Sequence, residues 1–448
     1  MHRFLEKATN NNLKSMFVRL TAILVAIIFC ASLTAQEHGH NTNVSPAQTE
    51  QTAPENHEST AAATEEIKYN PSPAVMHHIG DMHDFEMLPG MHLPLVCAPY
   101  VPGQGLKVFL SSAFHHGQKI VNGFALDHSI MRRVKDFPIQ EGEIEIEAIH
   151  AEGHQTAHAD QAHYIGHRPI TDDKGKAAEE AFVTYQGKEY LLEEASKLMK
   201  PASWYDFSIT KNVFSMLFGL LVLALIFRSV TRAYKRRPDQ APTGLQNLME
   251  IFVVFIRDDV AKPSIGPRYE KYLPFIMALF FFILINNIFG LIPFFPFGAN
   301  VMGHISSTIV LAVFVFLMVN LSGNKAYWGH IFWMPNVPTF IKILFIPIEI
   351  ASLFVKPFTL LIRLFANITA GHTIILTFVS LIFIFGKLGT SIGGIATGSA
   401  IAIPFVIFMN LLELLVAFLQ AFIFVLLSSL YIGAAIEEHH HDDHAPAH

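Results

Sequence analysis

The chain contains little cysteine and little charge for its length. Two of its 448 residues are cysteine, Cys30 and Cys97, and charged residues make up 15% of it, against about a quarter in ordinary globular proteins. Hydrophobic residues make up 51%. So few cysteines exclude a disulfide-rich scaffold. The charged residues concentrate in the first half of the chain, which predicts a water-exposed N-terminal part and a membrane-embedded C-terminal part.

The sequence also lacks the motifs of several functional classes. It has no Gly-rich phosphate-binding loop of the Walker type and no His-Glu-x-x-His zinc motif. It shows no set of nucleophile and base, and no broad basic patch that would indicate nucleic acid binding. These absences predict a chain that is not an enzyme, binds no nucleotide or nucleic acid, and uses no cofactor and no metal.

The first 35 residues have the layout of a secretory signal peptide. Lys14 and Arg19 precede the uncharged apolar run Leu20–Leu33, and the small residue Ala35 follows shortly after. An uncleaved anchor helix is the alternative, and in either case the following segment is exported. Because Cys30 lies in the signal peptide, the mature chain would keep one cysteine and form no internal disulfide.

The next segment, residues 36–67, is rich in Ala, Thr, Glu, Asn and His and predicts a disordered linker. Residues 38–167 hold 15 of the 24 histidines. Their spacing is irregular and no paired cysteines accompany them, so a specific metal site is not predicted. Loose binding of zinc or copper, or a solvated polar surface, explains the histidines better.

Residues 68–203 are predicted to form a small, exported, β-rich domain. Glu143–Ile149 alternates apolar and polar residues as a half-buried strand does. Phe182–Tyr185 and Glu189–Leu192 flank a short Gly-containing turn and predict a hairpin. Nothing in this domain indicates its role.

A membrane domain is predicted over residues 204–436, with about five transmembrane helices. Asn212–Phe227, with Phe207–Lys211, is long enough for a first span. A basic cluster beginning at Arg228 follows it, and by the positive-inside rule this end is cytoplasmic. The N-terminus is then periplasmic. Leu245–Val260 is amphipathic and is predicted to lie on the cytoplasmic face.

Three further apolar runs follow. Leu273–Phe297 is predicted to be the second span and Ile305–Ser322 the third, joined by a loop outside the membrane. Ile341–Phe385 would extend about 65 Å as one helix, so it is either a steeply tilted helix or a helical hairpin. If it crosses once, Gly386–Gly398 is an outer loop and Ile401–Ile432 returns to the cytoplasm, where residues 437–448 form a His- and Asp-rich tail.

The most informative stretch is Glu349–Leu376, which is apolar but carries four ionisable residues. Intramembrane charges are costly and mark function. Glu349, Lys356 and Arg363 recur every seven residues and form one stripe on a helix, with a drift of about 20° per heptad. His372 points to roughly the opposite side. A charged stripe on one side of a membrane helix and the imidazole of His372 on the other predict an ion path.

The run LLIRLFANITAGH within this stretch closely resembles the signature of subunit a of the F-type ATP synthase. A second run, NLLELLVAFLQAFIFVLLSSLY at Asn410–Tyr431, resembles the last membrane helix of that family. The resemblance covers roughly Trp204 to Ala435. It implies a bacterial inner-membrane protein whose long, tilted C-terminal helices lie against a ring of c subunits, with the b-subunit stalk as a further partner.

The resemblance implies a proton-conducting stator subunit with two half-channels to the c ring. Arg363 would hold each ring carboxylate ionised and prevent a proton leak between the paths. The alternative, an arginine that snorkels from a helix end, is disfavoured by the apolar residues on both sides. The outer path would use Asn367, His372, Glu413, Gln420 and Asn287, and the inner path Glu349, Ser352 and Lys356.

Some alternatives stay open at this point. His372 and Glu413 could form a hydrogen bond that only fastens helices, and Lys356 could pair with Glu349 or with lipid headgroups. Gly290 stands where some relatives carry an acid, which places more of the outer path on Asn367, His372 and Glu413. The rival function is a secondary ion or metal transporter, which would show repeated membrane halves; the sequence shows no such repeat. Proton or sodium specificity depends mostly on the ring.

Overall fold

The computed structural model describes residues 80–437, with breaks at residues 89–90, 116, 128–129, 140, 149–163, 172–176, 194–202, 238–239, 293–295, 334–337 and 387–390. The predicted signal peptide, the linker and nearly all of the C-terminal tail lie outside the described residues. Within them, a strand-rich part precedes a helical part.

The strand-rich part contains fourteen short strands in the described ranges. Seven form an antiparallel sheet with the order β10-β7-β8-β9-β13-β12-β11, and three form a sheet with the order β14-β4-β5. β3 pairs with β6, and β1 with β2. The strands are β1 Asp84–Leu88, β2 Met91–Pro94, β3 Val96–Cys97, β4 Pro99–Val101, β5 Gly105–Leu106, β6 Phe109–Leu110, β7 Lys119–Val121, β8 Phe124–Asp127, β9 Ile130–Val134, β10 Glu143–Glu145, β11 Ile165–Thr171, β12 Ala177–Tyr185, β13 Lys188–Glu193 and β14 Tyr205–Asp206.

The predicted hairpin is confirmed, and the predicted strand is only partly correct. β12 and β13 are joined by Gln186 and Gly187, whose φ values of 52° and 70° suit a tight two-residue hairpin turn. Of the described residues 143–148, Glu143–Glu145 form the strand that pairs with β7. Ile146 is buried and donates its backbone N–H to the carbonyl of Gln118, just before β7, while Glu147 donates to the carbonyl of Thr184 in β12. Period-two alternation therefore indicated burial correctly but overstated the length of the strand.

The helical part contains five candidate membrane spans by length and composition. The helices are α1 Lys211–Arg236, α2 Leu245–Phe255, α3 Lys262–Ile265, α4 Tyr269–Leu291, α5 Ile305–Ser322, α6 Lys325–Phe332, α7 Thr339–Phe385 and α8 Ile392–Ile436. A π-helical segment, Ile256–Ala261, connects α2 to α3 and makes the chain nearly continuous in helix from Leu245 to Leu291.

The third span agrees with its predicted bounds, but the first two differ from theirs. α1 begins at Lys211, because Phe207 and Ile209 are extended and donate backbone hydrogen bonds to Ala98 and Val96. The prediction that Phe207–Lys211 belongs to the first span was therefore wrong for residues 207–210, while Lys211 is the first residue of α1. α4 ends at Leu291 rather than Phe297, since the proline at 293 disfavours helix at the residue before it.

Ile341–Phe385 lies in one continuous helix, α7, so the helical hairpin is excluded. The predicted loop Gly386–Gly398 is largely wrong, because α8 already begins at Ile392. A Cβ at Gly394 would overlap the carbonyl of Phe385, and one at Gly398 would lie 3.1 Å from the carbonyl of Leu381. These glycines allow α7 and α8 to approach closely and do not mark a loop.

The core of the helical part surrounds α4. Phe280, Phe282 and Leu273 of α4 are at most 2% exposed, and they belong to one apolar cluster with residues of α1, α5, α7 and α8. α7 contributes only one side, since 11% of the most apolar stretch of Phe340–Phe385 is buried. The rest of α7 is an uncovered apolar surface.

Candidate functional site

Arg363 is the permanent cation of the site and lies half-buried on α7, beside the core residues Leu360 and Leu364. No hydrogen bond or ion pair joins it to any residue in the described ranges. Its charge acts electrostatically on Tyr431 of α8. A guanidinium stays protonated at any relevant pH, so the part of the chain that the structure describes leaves this charge without a counter-ion.

The second cation of the stripe, Lys356, contacts the same tyrosine. Lys356 Nζ lies 5.8 Å from the centre of the Tyr431 ring, within the range of a cation–π contact. Sequence reasoning gave Tyr431 no role, although a hydroxyl-bearing ring in an apolar helix was a usable signal. Of the two alternatives for Lys356, pairing with Glu349 does not occur in the structure.

Glu349 contacts Ser352 one turn further along α7. The Ser352 hydroxyl donates to the Glu349 carbonyl at 2.8 Å and lies 3.5 Å from Glu349 Oε2. Burial, and then the nearby Glu349 carboxylate, raise the pKa of Tyr327 in α6. Tyr327 O–H is in turn 3.4 Å from Asn320 Oδ1. The predicted inner residues Glu349 and Ser352 therefore lie together, and Tyr327 is a neighbour that sequence reasoning missed.

His372 and Glu413 meet across the two long antiparallel helices. His372 Nδ1 is 3.8 Å from Glu413 Oε1, and the side chains are 13% and 5% exposed. Gly371 makes room for them, because a Cβ at Gly371 would lie 3.3 Å from Glu413 Cδ. Glu413 Oε2 has no hydrogen-bond partner among the described residues. Two titratable groups thus share a buried position at this end of the helix pair.

Asn287 joins α4 to the same region of α8. Its Nδ2 donates to the carbonyl of Ala417 at 3.1 Å, between Glu413 and Gln420 in sequence. Asn287 and Gln420 are each 4% exposed. The predicted outer residues Asn287, Gln420, Glu413 and His372 therefore lie along one buried strip of the helix packing.

Asn367 lies apart from that strip. Its side chain is exposed on α7, on the part of the helix surface that the chain leaves uncovered. Gly290 faces the loop after α4, because a Cβ there would lie 3.4 Å from the carbonyl of Ala299. The same loop reaches α7, where the Thr369 hydroxyl donates to the carbonyl of Gly303 at 3.0 Å.

Two buried asparagines of this region were not identified from the sequence. Asn286 is 1% exposed and Asn300 is 5% exposed. Asn286 Oδ1 and Asn300 Nδ2 lack a hydrogen-bond partner among the described residues. The Asn286-Asn287 pair inside an apolar span was the available signal for the first of them.

The site has the geometry of two polar regions with an uncompensated cation between them. Glu349 precedes Arg363 along α7 by about 21 Å and His372 follows it by about 14 Å at 1.5 Å per residue. In the described ranges no group of three or more His, Cys, Asp or Glu residues could hold a metal ion. The arrangement can exchange protons on either side of Arg363 and attract an anion at the arginine itself.

The sequence matches two family models. The model described as "ATP synthase A chain" matches residues 213–433. A model described as a domain of unknown function matches residues 74–207, which include the strand-rich part.

Curated proteins named "ATP synthase subunit a" are similar to the same half of the chain. The protein from Chloroherpeton thalassium is 41% identical over 254 residues, which cover 54% of this chain and 72% of that protein. The protein from Pelodictyon phaeoclathratiforme is 45% identical over 250 residues, which cover 54% of this chain and 70% of that protein. With five apolar helices, the chain is a multi-pass membrane protein that belongs to the family of subunit a of the F-type ATP synthase.

Proposed function

We propose that this chain is the proton-conducting stator subunit of a rotary ATP synthase. It supplies two half-channels to a ring of c subunits and does not catalyse ATP formation itself. Protons enter from the periplasm past His372 and Glu413 and neutralise a ring carboxylate. After nearly a full turn of the ring, the proton leaves beside Glu349 into the cytoplasm.

One observation carries the proposal: Arg363 is a fixed charge within a membrane helix and has no ion-pair partner in the described chain. An unpaired charge in a membrane is expensive, so a partner must supply the opposite charge. The uncovered apolar surface of α7 is where a partner helix can bring a carboxylate. A ring carboxylate that is ionised beside Arg363 and neutral elsewhere can face lipid without the cost of a buried charge.

The polar regions on either side of Arg363 support two separate access paths. His372, Glu413, Asn287 and Gln420 line the outer path, and Asn367 lies between them and the arginine on the ring-facing surface. Glu349 and Ser352 line the inner path, with Lys356 between them and the arginine. Protons passing directly from one region to the other would meet the positive charge of Arg363, which repels them and keeps the paths separate.

Several wider properties belong to the same proposal. The chain lies in a bacterial inner membrane with a periplasmic N-terminus, and its partners are the c ring and the b-subunit stalk. The segment before α1 is exported and behaves as a separate domain over residues 68–203.

The test is ATP-driven proton pumping in membrane vesicles that carry the native chain, Arg363→Ala or Arg363→Lys. We expect pumping by both variants to fall to the level of vesicles without the subunit. The lysine variant fails because an ammonium lacks the planar, bidentate geometry of guanidinium. Lys342→Ala is the matched control, since Lys342 is another α7 cation but lies over the Trp333 ring at 4.4 Å; its pumping should be unchanged.

Assembly must be measured in parallel by copurification of the c ring. Loss of pumping with intact assembly supports Arg363 as the coupling residue. Pumping that survives in Arg363→Ala, or a native chain that purifies without a ring, contradicts the proposal and favours a secondary transporter.

A further inference from the structure

The extended segment just before α1 has its apolar and polar sides reversed. Burial alternates strictly along Trp204–Thr210, and after the fully buried Trp204 the inward positions are polar. Asp206, Ser208 and Thr210 point inward and are at most 7% exposed. The residues that point outward are Tyr205, Phe207 and Ile209. A sheet with one face in water normally places polar residues outward, so this segment has the opposite pattern.

The neighbouring strands continue the same outward surface. Tyr205 is opposite Tyr100, and Tyr100 is opposite Leu106. Phe207 and Ile209 bond to the backbone of Ala98 and Val96, and Val96 is opposite Leu110. Directly opposite residues of paired strands share one side of a sheet. The resulting "apolar sheet face" consists of Val96, Ala98, Tyr100, Leu106, Val108, Leu110, Tyr205, Phe207 and Ile209.

The apolar sheet face carries no charge and is substantially open. Val108 is 63% exposed, Leu106 57% and Leu110 48%. Two charged residues lie close by: Asp206 points inward, and Lys107, between β5 and β6, donates its Nζ to the carbonyl of Asn122 at 3.3 Å. A contiguous, open apolar surface of this kind marks a site of interaction.

The length of α1 places this face at the membrane boundary. Its charge-free section, Asn212–Phe227, extends about 24 Å at 1.5 Å per residue, which is less than the roughly 30 Å of a hydrocarbon core. Arg228 and the basic residues after it fix the other end. Lys211 is only 7% exposed and is covered by protein. The missing apolar length therefore falls on Phe207–Thr210 and the strands beside it.

Aromatic residues gather at the same place. The Tyr100 ring is 6.4 Å from the rings of both Tyr205 and Phe207. Tyrosines with an apolar body and a polar tip are enriched where a membrane meets water. Tyr205 and Phe207 lie six and four residues before the first spanning helix, and Tyr100 is beside them, which matches such a belt.

We propose that the apolar sheet face lies in the lipid of the leaflet at which α1 begins. The strand-rich domain thereby contacts the bilayer through the apolar sheet face, and Tyr100, Tyr205 and Phe207 lie at the headgroup level. The ligand of the face is phospholipid in general, at the level where acyl chains meet headgroups. The domain is then a membrane-associated element with a fixed orientation around the start of α1.

The test uses the full chain in liposomes with single cysteines at Leu106→Cys, Val108→Cys and Leu110→Cys, each carrying an environment-sensitive fluorophore. Ile170→Cys is the matched control, because Ile170 is an apolar residue of the same domain with 38% exposure. Cys30 is replaced by serine in every variant. Cys97 can stay, since it is 0% exposed and burial raises the pKa of its thiol, which keeps it unreactive.

Nitroxide-labelled phospholipids should quench the fluorophores at 106, 108 and 110 several-fold more than the one at 170, and iodide should quench in the opposite order. Equal quenching by iodide at all four positions would place the face in water and overturn the proposal. Protection from both quenchers would show that another protein covers the face, which also overturns it. The exposed positions tolerate labelling, and copurification of the complex checks assembly.

Discussion

A buried ion pair fastens the strand-rich part to the start of α1, and we predict that His83→Leu weakens this connection strongly. His83 Nε2 and Asp206 Oδ2 are 2.9 Å apart, with the two side chains 0% and 5% exposed. Asp206 also accepts a hydrogen bond from the Ser208 backbone at 2.9 Å. The pair joins the first described strand region to the residue four places before Thr210, the N-cap of α1.

The expected magnitude follows from what the substitution leaves behind. Removing one partner of a buried pair strands an uncompensated charge and costs about 3–5 kcal/mol. Such a loss lowers the melting temperature of a domain of this size by about 10 °C or more. Lys119→Ala is the control: Lys119 pairs with Glu143 at 3.1 Å, with side chains 21% and 49% exposed. Its removal should cost at most about 1 kcal/mol.

The pH dependence of stability should change as well. Burial favours a higher pKa for Asp206, but the charge of His83 and hydrogen bonds from His83 and Ser208 outweigh it and hold the pKa below its ordinary value. The native carboxylate therefore stabilises the fold above about pH 4, its ordinary pKa, and this stability is lost as pH falls through the lower folded value.

In His83→Leu, burial remains and the pKa of Asp206 should rise. Acidification from pH 7 towards pH 4 then relieves the buried charge, so the variant should approach the native stability as pH falls. Cys97 should not contribute over this range, because burial, and then the charges of Asp206 and Asp84, raise the pKa of its thiol.

Trp204 provides the assay. It is fully buried, and its ring lies 5.0 Å from that of Phe124 in the core of the strand-rich part. The chain has three tryptophans, so Trp328→Phe and Trp333→Phe leave Trp204 as the single reporter. Thermal melts of the full chain should be followed by its fluorescence from pH 4 to pH 7. A melting temperature for His83→Leu within 2 °C or so of the native value, or a difference that does not narrow on acidification, would refute the reasoning.

Two further predictions concern the helices. Glu413→Gln keeps the shape of a buried side chain but can no longer exchange a proton, so ATP-driven pumping should fall at least about tenfold while the c ring still copurifies. Glu437→Gln, at the exposed end of α8, is the control and should pump normally. Equal pumping by the two variants would contradict a proton relay through Glu413. Gly433→Ala should lower the yield and melting temperature of the subunit, because a Cβ there would overlap the Ser264 carbonyl. Gly329→Ala is the control: a Cβ there meets nothing within 4 Å, so this variant should be neutral or stabilise by up to about 1 kcal/mol. If Gly433→Ala is obtained in the same yield as Gly329→Ala, α3 shifts freely and the reasoning is contradicted.

Sequence patterns located the helices well where lipid sets their composition. Ile305–Ser322 has a charge-free interior between polar ends, and the predicted and observed bounds agree. The bounds failed where protein packing decides the conformation. Gly386–Gly398 was predicted to be an outer loop, but Gly394 and Gly398 lie in α8 where α7 and α8 touch. Helix proximity cannot be inferred from one helix alone.

For the candidate site too, relations within one helix were predicted from the sequence and contacts between helices were not. Seven-residue spacing placed Glu349, Lys356 and Arg363 on one stripe, since that relation lies within one helix. Tyr431 was missed because its cation–π contact with Lys356 depends on how α8 packs against α7. The reversed alternation around Phe207 was missed for another reason: an apolar residue before a membrane helix fits a longer helix as well as an outward-facing strand.

The two sides of α7 explain why this chain alone holds only part of a site. Ile368 and Leu364 face the core, where α8 presents Gln420 and Glu413 at 4% and 5% exposure. The other side presents Phe354, Phe358 and further large apolar residues at 60% exposure or close to it. Lipid acyl chains can cover those apolar residues but carry no charge that could neutralise Arg363. We therefore expect the missing surface to combine apolar side chains with a carboxylate that is neutral whenever it leaves Arg363. Under the proposed function, a static partner with a fixed negative charge would hold the arginine in a permanent ion pair, whereas a rotating ring would present its carboxylates in succession.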